Sequence, residues 1–120
     1  MGTWYTRAVL FVADIERSVR FYTEMLGFEK SWQHEHDGKP IVVQVNHQEC
    51  EIILSLDSER AGWSRLFISL GSEDMQELKA QVEVRSVVAK ETWWGYPSLE
   101  IRDPDGNELL FPLDESDDHE

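Results

Sequence analysis

The stretch Trp93-Trp94-Gly95-Tyr96-Pro97-Ser98-Leu99-Glu100-Ile101-Arg102-Asp103-Pro104-Asp105-Gly106-Asn107-Glu108-Leu109-Leu110-Phe111 decides how the chain folds. Leu99 and Ile101 alternate with Ser98, Glu100 and Arg102, the period of a strand with one buried face. Asp103-Pro104-Asp105-Gly106 then reads as a turn. Pro104 presets φ at the second position, the Asp side chains can bond the local backbone, and Gly106 accepts a positive φ. Leu109, Leu110 and Phe111 return as the partner strand. Pro112 has no N–H to give a further neighbour, so the strand ends there or turns that side to solvent.

Upstream, residues 84 to 90 read as another strand. Ser72 reads as the cap of a helix with Glu73 and Asp74 in its first turn, where acids complement the dipole. Met75, Leu78 and Val82 give that helix its apolar stripe. Residues 65 to 70 read as a strand, and the polar run 57 to 62 as a linker. The first half has the same order. Residues 5 to 12 form a strand, and Asp14 caps a helix whose face is Ile15, Val19, Tyr22 and Leu26. Gly27 stands where a left-handed residue ends a helix. Strands follow at 28 to 36, 40 to 46 and 51 to 56, the first two joined by the hairpin signal Asp37-Gly38. Both halves thus read strand, helix, then about three strands.

The Asp103-Pro104-Asp105-Gly106-Asn107 hairpin, together with the run from Ala8 to Phe28 ending Phe21-Tyr22-Thr23-Glu24-Met25-Leu26-Gly27-Phe28, resembles the two signatures of the vicinal oxygen chelate superfamily. That superfamily contains glyoxalase I, extradiol dioxygenases, fosfomycin-resistance enzymes and bleomycin-resistance proteins. The resemblance implies an α+β fold of two βαβββ modules, about residues 5–56 and 63–113, whose strands form a curved mixed sheet around a cleft. It places one domain over 1–113 and leaves 114–120 as an acidic tail. Within the superfamily the pattern is most similar to bleomycin-resistance proteins, through Trp94-Gly95 followed by a strand and Arg102-Asp103-Pro104-Asp105-Gly106-Asn107. Such proteins pair as homodimers with sites at the interface. Their first strand often carries a proline that helps exchange the N-terminal arm; here that position is Leu10.

Composition sets outer bounds. The 120 residues are 41% hydrophobic and 29% charged, values of one globular domain. No run is long enough to span a bilayer, and no basic-then-apolar leader opens the sequence. The single Cys50 excludes an internal disulfide, fits a reducing cytoplasm, and reads as a small filler at a strand start. The formal net charge is −13, and the tail contributes five of its carboxylates. Nucleic acid and anionic membranes are therefore poor partners. The charge serves solubility or the attraction of a cation.

Strand alternation divides the residues between a helix-covered face and a concave face. Ala8, Leu10, Val12, Ile53, Leu66, Ile68, Leu70, Leu99, Ile101, Leu109 and Phe111 are expected in the core. Arg7, Phe11, Leu54, Arg65, Phe67, Tyr96, Glu100, Glu108 and Leu110, with Ile52 and Leu56, are expected on the other side. Metal-dependent relatives place a ligand in each of the first, fourth, fifth and last strands. The corresponding positions fall on Arg7, near Leu54 (with Glu51 or Ser55 one register error away), on Arg65 and on Leu110. Two guanidiniums and two leucines hold no divalent cation. No metal and no cofactor are therefore expected. His34, His36 and His47 read as surface or hairpin histidines, with a metal site at His34 and His36 as the alternative.

The resemblance therefore implies a metal-free protein that binds and sequesters a planar, cationic small molecule of the bleomycin type. Phe11, Trp32, Phe67, Trp93, Trp94 and Tyr96 would supply aromatic walls, and Gln44 a polar contact. Trp93 and Trp94 can equally pack at a dimer seam. The rival reading is a glyoxalase- or dioxygenase-like enzyme. Glu100 would be its candidate catalytic residue, with a metal at His34, His36 or Glu108 as the other route. Against that role, Glu100 can form an ion pair with Arg7 or Arg65.

Overall fold

The computed structural model describes residues 2–93 and 95–113; Trp94 and the acidic tail lie outside the described residues. The element order is β1 (Ala8–Val12), α1 (Ile15–Arg20), a π-helical turn (Phe21–Met25), β2 (Glu29–His36), β3 (Lys39–His47) and β4 (Cys50–Leu56). It repeats as β5 (Arg65–Phe67), α2 (Ser72–Val84), β6 (Ala89–Trp93), β7 (Pro97–Arg102) and β8 (Glu108–Pro112). The strands form two four-stranded sheets, β1-β4-β3-β2 and β5-β8-β7-β6. In each, the first strand runs parallel to the last and the others pair antiparallel. This is the expected α+β arrangement of two βαβββ modules.

Local chemistry explains most boundaries. Asp14 caps α1 as expected, its carboxylate accepting from the Arg17 N–H at 3.1 Å. The stripe below it is buried at Ile15, Tyr22 and Leu26, with Val19 packed against the core but only partly covered and Ser18 fully buried beside it. Helix α2 differs more. Gly71 is its cap and makes no side-chain bond, so Ser72 is the first helical residue. The helix continues through Val84 into residues expected to be extended. It stops where Ser86 takes a positive φ of 58° and the Val87 N–H bonds back to the Val82 carbonyl at 2.9 Å. The following strand therefore starts at Ala89.

Parity is borne out in β1, β7 and β8, where Leu10, Val12, Ile101 and Leu109 are fully buried. In β4 it is reversed. Ile52 and Leu54 are the residues without exposure, because β4 lies parallel to β1 with Ala8 beside Ile52 and Leu10 beside Leu54. Partners across a ladder point to the same side, so Ile53 faces the other way.

The two modules are joined by the turn after β7. The Asp103 carboxylate accepts from the Asp105 and Asn107 N–H groups at 3.0 and 2.9 Å, which closes the turn. Its other oxygen accepts from the Tyr22 hydroxyl and from Asn107 Nδ2, both at 2.9 Å. Asp105 accepts from the Ala13 N–H, from Arg17 Nη2 and from the Ser18 hydroxyl. Asn107 donates to the Phe11 carbonyl and accepts from the Ser64 N–H. The linker presses close here. A Cβ on Gly62 would overlap the Asp105 carbonyl oxygen, at a φ of +88°, so only glycine fits.

Candidate functional site

In the first module, β1, β3 and β4 turn Val9, Phe11, Gln44, Asn46, Ile53 and Ser55 away from the core. Gln44 is the hub. It is 4% exposed, yet its carbonyl oxygen accepts from Arg7 Nη1 at 3.0 Å and from Trp32 Nε1 at 2.9 Å. Its amide nitrogen donates to Asn46 Oδ1 at 3.0 Å. These bonds fix the amide's orientation, since only its oxygen can accept. Arg7 precedes β1, and one further step of the parallel register sets it beside Glu51, 3.8 Å from Nε to carboxylate. Its guanidinium also lies 5.7 Å from the centre of the Tyr5 ring. Arg60 of the linker covers the Phe11 ring at 5.1 Å.

In the second module the matching face is ionic. Arg65 Nε donates to Glu108 at 2.6 Å, Arg102 Nη2 to the other Glu108 oxygen at 3.1 Å, and Arg102 Nε to Glu100 at 2.7 Å. The β5–β8 and β7–β8 registers produce this order by setting Arg65 and Arg102 on either side of Glu108. The hydrogen bond to Glu100, and then its charge, pushes the Arg102 pKa up from an already basic value, so this guanidinium stays charged. The carboxylates lie beneath the cations. The Glu100 side chain is 9% exposed and that of Arg102 is 56%. Beside the ladder, Leu110 is buried between β5 and β7, and Phe67 meets Tyr96 edge-on at 6.5 Å. Both faces keep apolar surface in the open: Val9, Trp32, Phe67 and Tyr96 are 40 to 47% exposed.

The residues do not fit a divalent cation. Arg7 and Arg65 occupy the first- and fifth-strand positions, and Leu54 and Leu110 offer no donor atom. Glu51, Glu100 and Glu108, the carboxylates beside these positions in the strand registers, are bonded to guanidiniums. His36 lies 3.5 Å from Asp37 at the hairpin tip. Among the described residues no three His, Cys, Asp or Glu side chains converge.

The structure thus brings Arg7, Trp32 and Gln44 together on one face, and Arg65, Phe67, Tyr96, Glu100, Glu108 and Leu110 on the other. Two expectations are corrected. Leu54 lies in the core, turned away from the site by the β1–β4 register. Trp93 pairs with Pro97 and by alternation takes the side of Leu99 and Ile101, although it is 72% exposed. Trp94 lies outside the described residues. Glu100 is bonded to its strand neighbour Arg102, two residues on, rather than to Arg7 or Arg65. Sequence reasoning left Tyr5, Asn46 and Glu51 out of the site. A signal for Glu51 existed, because each module carries an Arg before or at its first strand and a Glu on the parallel strand beside it.

The model of the Glyoxalase/Bleomycin resistance protein/Dioxygenase superfamily matches residues 4–111. Among solved structures, the chain is similar to the bleomycin-binding protein of bleomycin-producing Streptomyces verticillus, in complex with copper(II)-bleomycin. The two share 21% identity over 95% of this chain and 98% of that one, with a TM-score of 0.70. It is similar to TnmS3, an antibiotic-binding protein of Streptomyces sp. CB03234, at 23% identity over 93% and 97% of the two chains, TM-score 0.68. It is equally similar to lactoylglutathione lyase of Agrobacterium tumefaciens, at 19% identity over 92% and 93%, TM-score 0.70. At these identities the likeness is one of fold. No curated protein sequence matches the chain. No helix among the described residues is long and apolar enough to cross a membrane.

Proposed function

We propose a binding function for this chain, which belongs to the Glyoxalase/Bleomycin resistance protein/Dioxygenase superfamily. The protein holds a planar, cationic small molecule of the bleomycin type, without a metal and with no bond made or broken. One observation carries this reading: aromatic and apolar side chains stand open beside carboxylates already bonded to guanidiniums. Open rings stack on a planar ligand, whereas carboxylates held this way are poorly placed to take or give a proton. The net charge of −13 draws a cation from a distance. At contact, Arg7 and Arg102 donate to the ligand's carbonyl and hydroxyl oxygens. Pairing of two copies as a homodimer in the cytoplasm covers the open faces and closes the site.

The test is tryptophan fluorescence of chelator-treated protein titrated with bleomycin. The expected result is saturable quenching at about one ligand per chain, weakened in Trp32→Phe and retained in Glu100→Gln. A flat titration overturns the bleomycin-type ligand. Quenching that needs added metal or an intact Glu100 favours the enzyme reading.

A further inference from the structure

A cavity of about 670 Å³ lies away from both open sheet faces, between α2 and the first module. It exists because α2 anchors through Met75 near one end and Val82 near the other, while Leu78 between them stays only partly covered. Leu26, Phe28, Leu70 and Leu78 give it an apolar wall. The rim carries three carboxylates, Glu49, Asp74 and Glu77. Arg85, also on the rim, donates to the Glu24 carbonyl at 2.6 Å and so serves the end of the π-helical turn. Gln48 reaches from the β3–β4 turn to Asp74 at 3.2 Å and ties that turn to the first turn of α2.

The volume is that of a small-molecule pocket. Its wall favours an apolar body, and its rim, under a net charge of −13, favours a positive head. We propose that this cavity is a second binding site, for a small amphiphile with an apolar body and a cationic head group. It does not depend on the concave-face reading.

Cys50 makes the proposal testable. It is the chain's single cysteine, it lies on the cavity wall, and it is half-buried. Alkylation by uncharged iodoacetamide, followed by mass spectrometry, therefore reports occupancy. Dodecyltrimethylammonium below its micelle concentration is expected to slow alkylation at least fivefold, with saturation. Dodecyl sulfate at the same free concentration is expected to leave the rate unchanged. Leu78→Trp fills the cavity and should abolish the protection. Glu77→Lys, on the exposed side of α2 and compatible with folding, should raise the half-protecting concentration about fivefold. Trp32→Phe should change nothing, which separates this site from the concave face. The proposal is overturned if the cation gives no saturable protection or speeds alkylation by unfolding the chain. Equal protection by the anion, protection unchanged in Glu77→Lys, or protection lost in Trp32→Phe would also overturn it.

Discussion

In the first module Arg7, Trp32 and Asn46 all meet at the side-chain amide of Gln44, whereas in the second Arg65, Glu108, Arg102 and Glu100 bond in alternating order of charge. The scaffolds are the same: equal strand order, a parallel first and last strand, and an Arg beside a Glu on that pair. The difference lies in the strand next to the parallel pair. In β3 the residue at the centre of the open face is a neutral amide; in β7 it is a carboxylate. An amide accepts from a guanidinium and an indole at its oxygen, donates from its nitrogen, and so fixes their geometry. A carboxylate recruits a further guanidinium and builds a network of ions. One fold thus carries two surfaces of different chemistry, one suited to oriented hydrogen bonds and one to electrostatic contact.

The two modules should stand or fall together, and the largest expected effect lies at the joint between them. Asp103 is 4% exposed and accepts four hydrogen bonds, one of them from Tyr22 of the other module. Asp103→Ala leaves those donors without an acceptor. It should cost about 3 to 5 kcal/mol, a figure built from the penalty for buried unpaired polar groups. Differential scanning calorimetry should show one transition in the wild type and one, at lower temperature, in the variant. Two transitions in the wild type would mean that the modules melt independently, and the shared joint would lose its meaning.

A smaller effect sits at the same joint and depends on pH. Burial, then the Asp103 charge and hydrogen bond, push the Tyr22 phenol well above its ordinary value of 10.0. The unfolded phenol gives up its proton near pH 10, and the folded one keeps it. Above pH 10 the unfolded state therefore binds fewer protons, and stability falls as pH rises; below pH 10 this group contributes no slope. Tyr22→Phe loses the hydroxyl bond to Asp103, at a cost of about 1 to 2 kcal/mol at neutral pH. It should also flatten the alkaline decline relative to wild type. Urea melts from pH 7 to 11 check both parts, and an equal decline in the two proteins would discard the assignment.

The residues legible in the sequence were those whose role is set by near neighbours. The Asp103–Asn107 turn needs only its own backbone, and Asp14 reads as a cap because the N–H it serves is three residues on. Leu99 and Ile101 alternate within one strand. Leu54 is not placed by alternation, which gives two faces but not which one is inward. That choice came from the parallel pairing with β1, a contact across more than forty residues. Val19 does pack against the core, but periodicity does not reveal the buried Ser18, whose hydroxyl donates to Asp105 of the other module. Helix α2 ran past its expected end because a valine near the boundary suits strand and helix alike, and its stop is a left-handed serine.

The finest test concerns the Arg–Glu pair that both modules share. Glu108 bridges two guanidiniums, at 2.6 and 3.1 Å, with its side chain 21% exposed. Glu51 faces one guanidinium at 3.8 Å and is 28% exposed. All three arginine side chains are 40 to 56% exposed, so water screens both pairs, and only the network's geometry separates them. Glu108→Gln should therefore cost about 1 kcal/mol, and Glu51→Gln a few tenths, the ordinary range for exposed pairs. Added salt should weaken the wild type's advantage over Glu108→Gln and leave the Glu51 comparison almost unchanged. Equal costs would mean that the two pairs are the same device repeated. In that case the contrast between the modules would rest on Gln44 against Glu100 alone, because those residues decide whether the neighbouring donor is an indole or a second guanidinium.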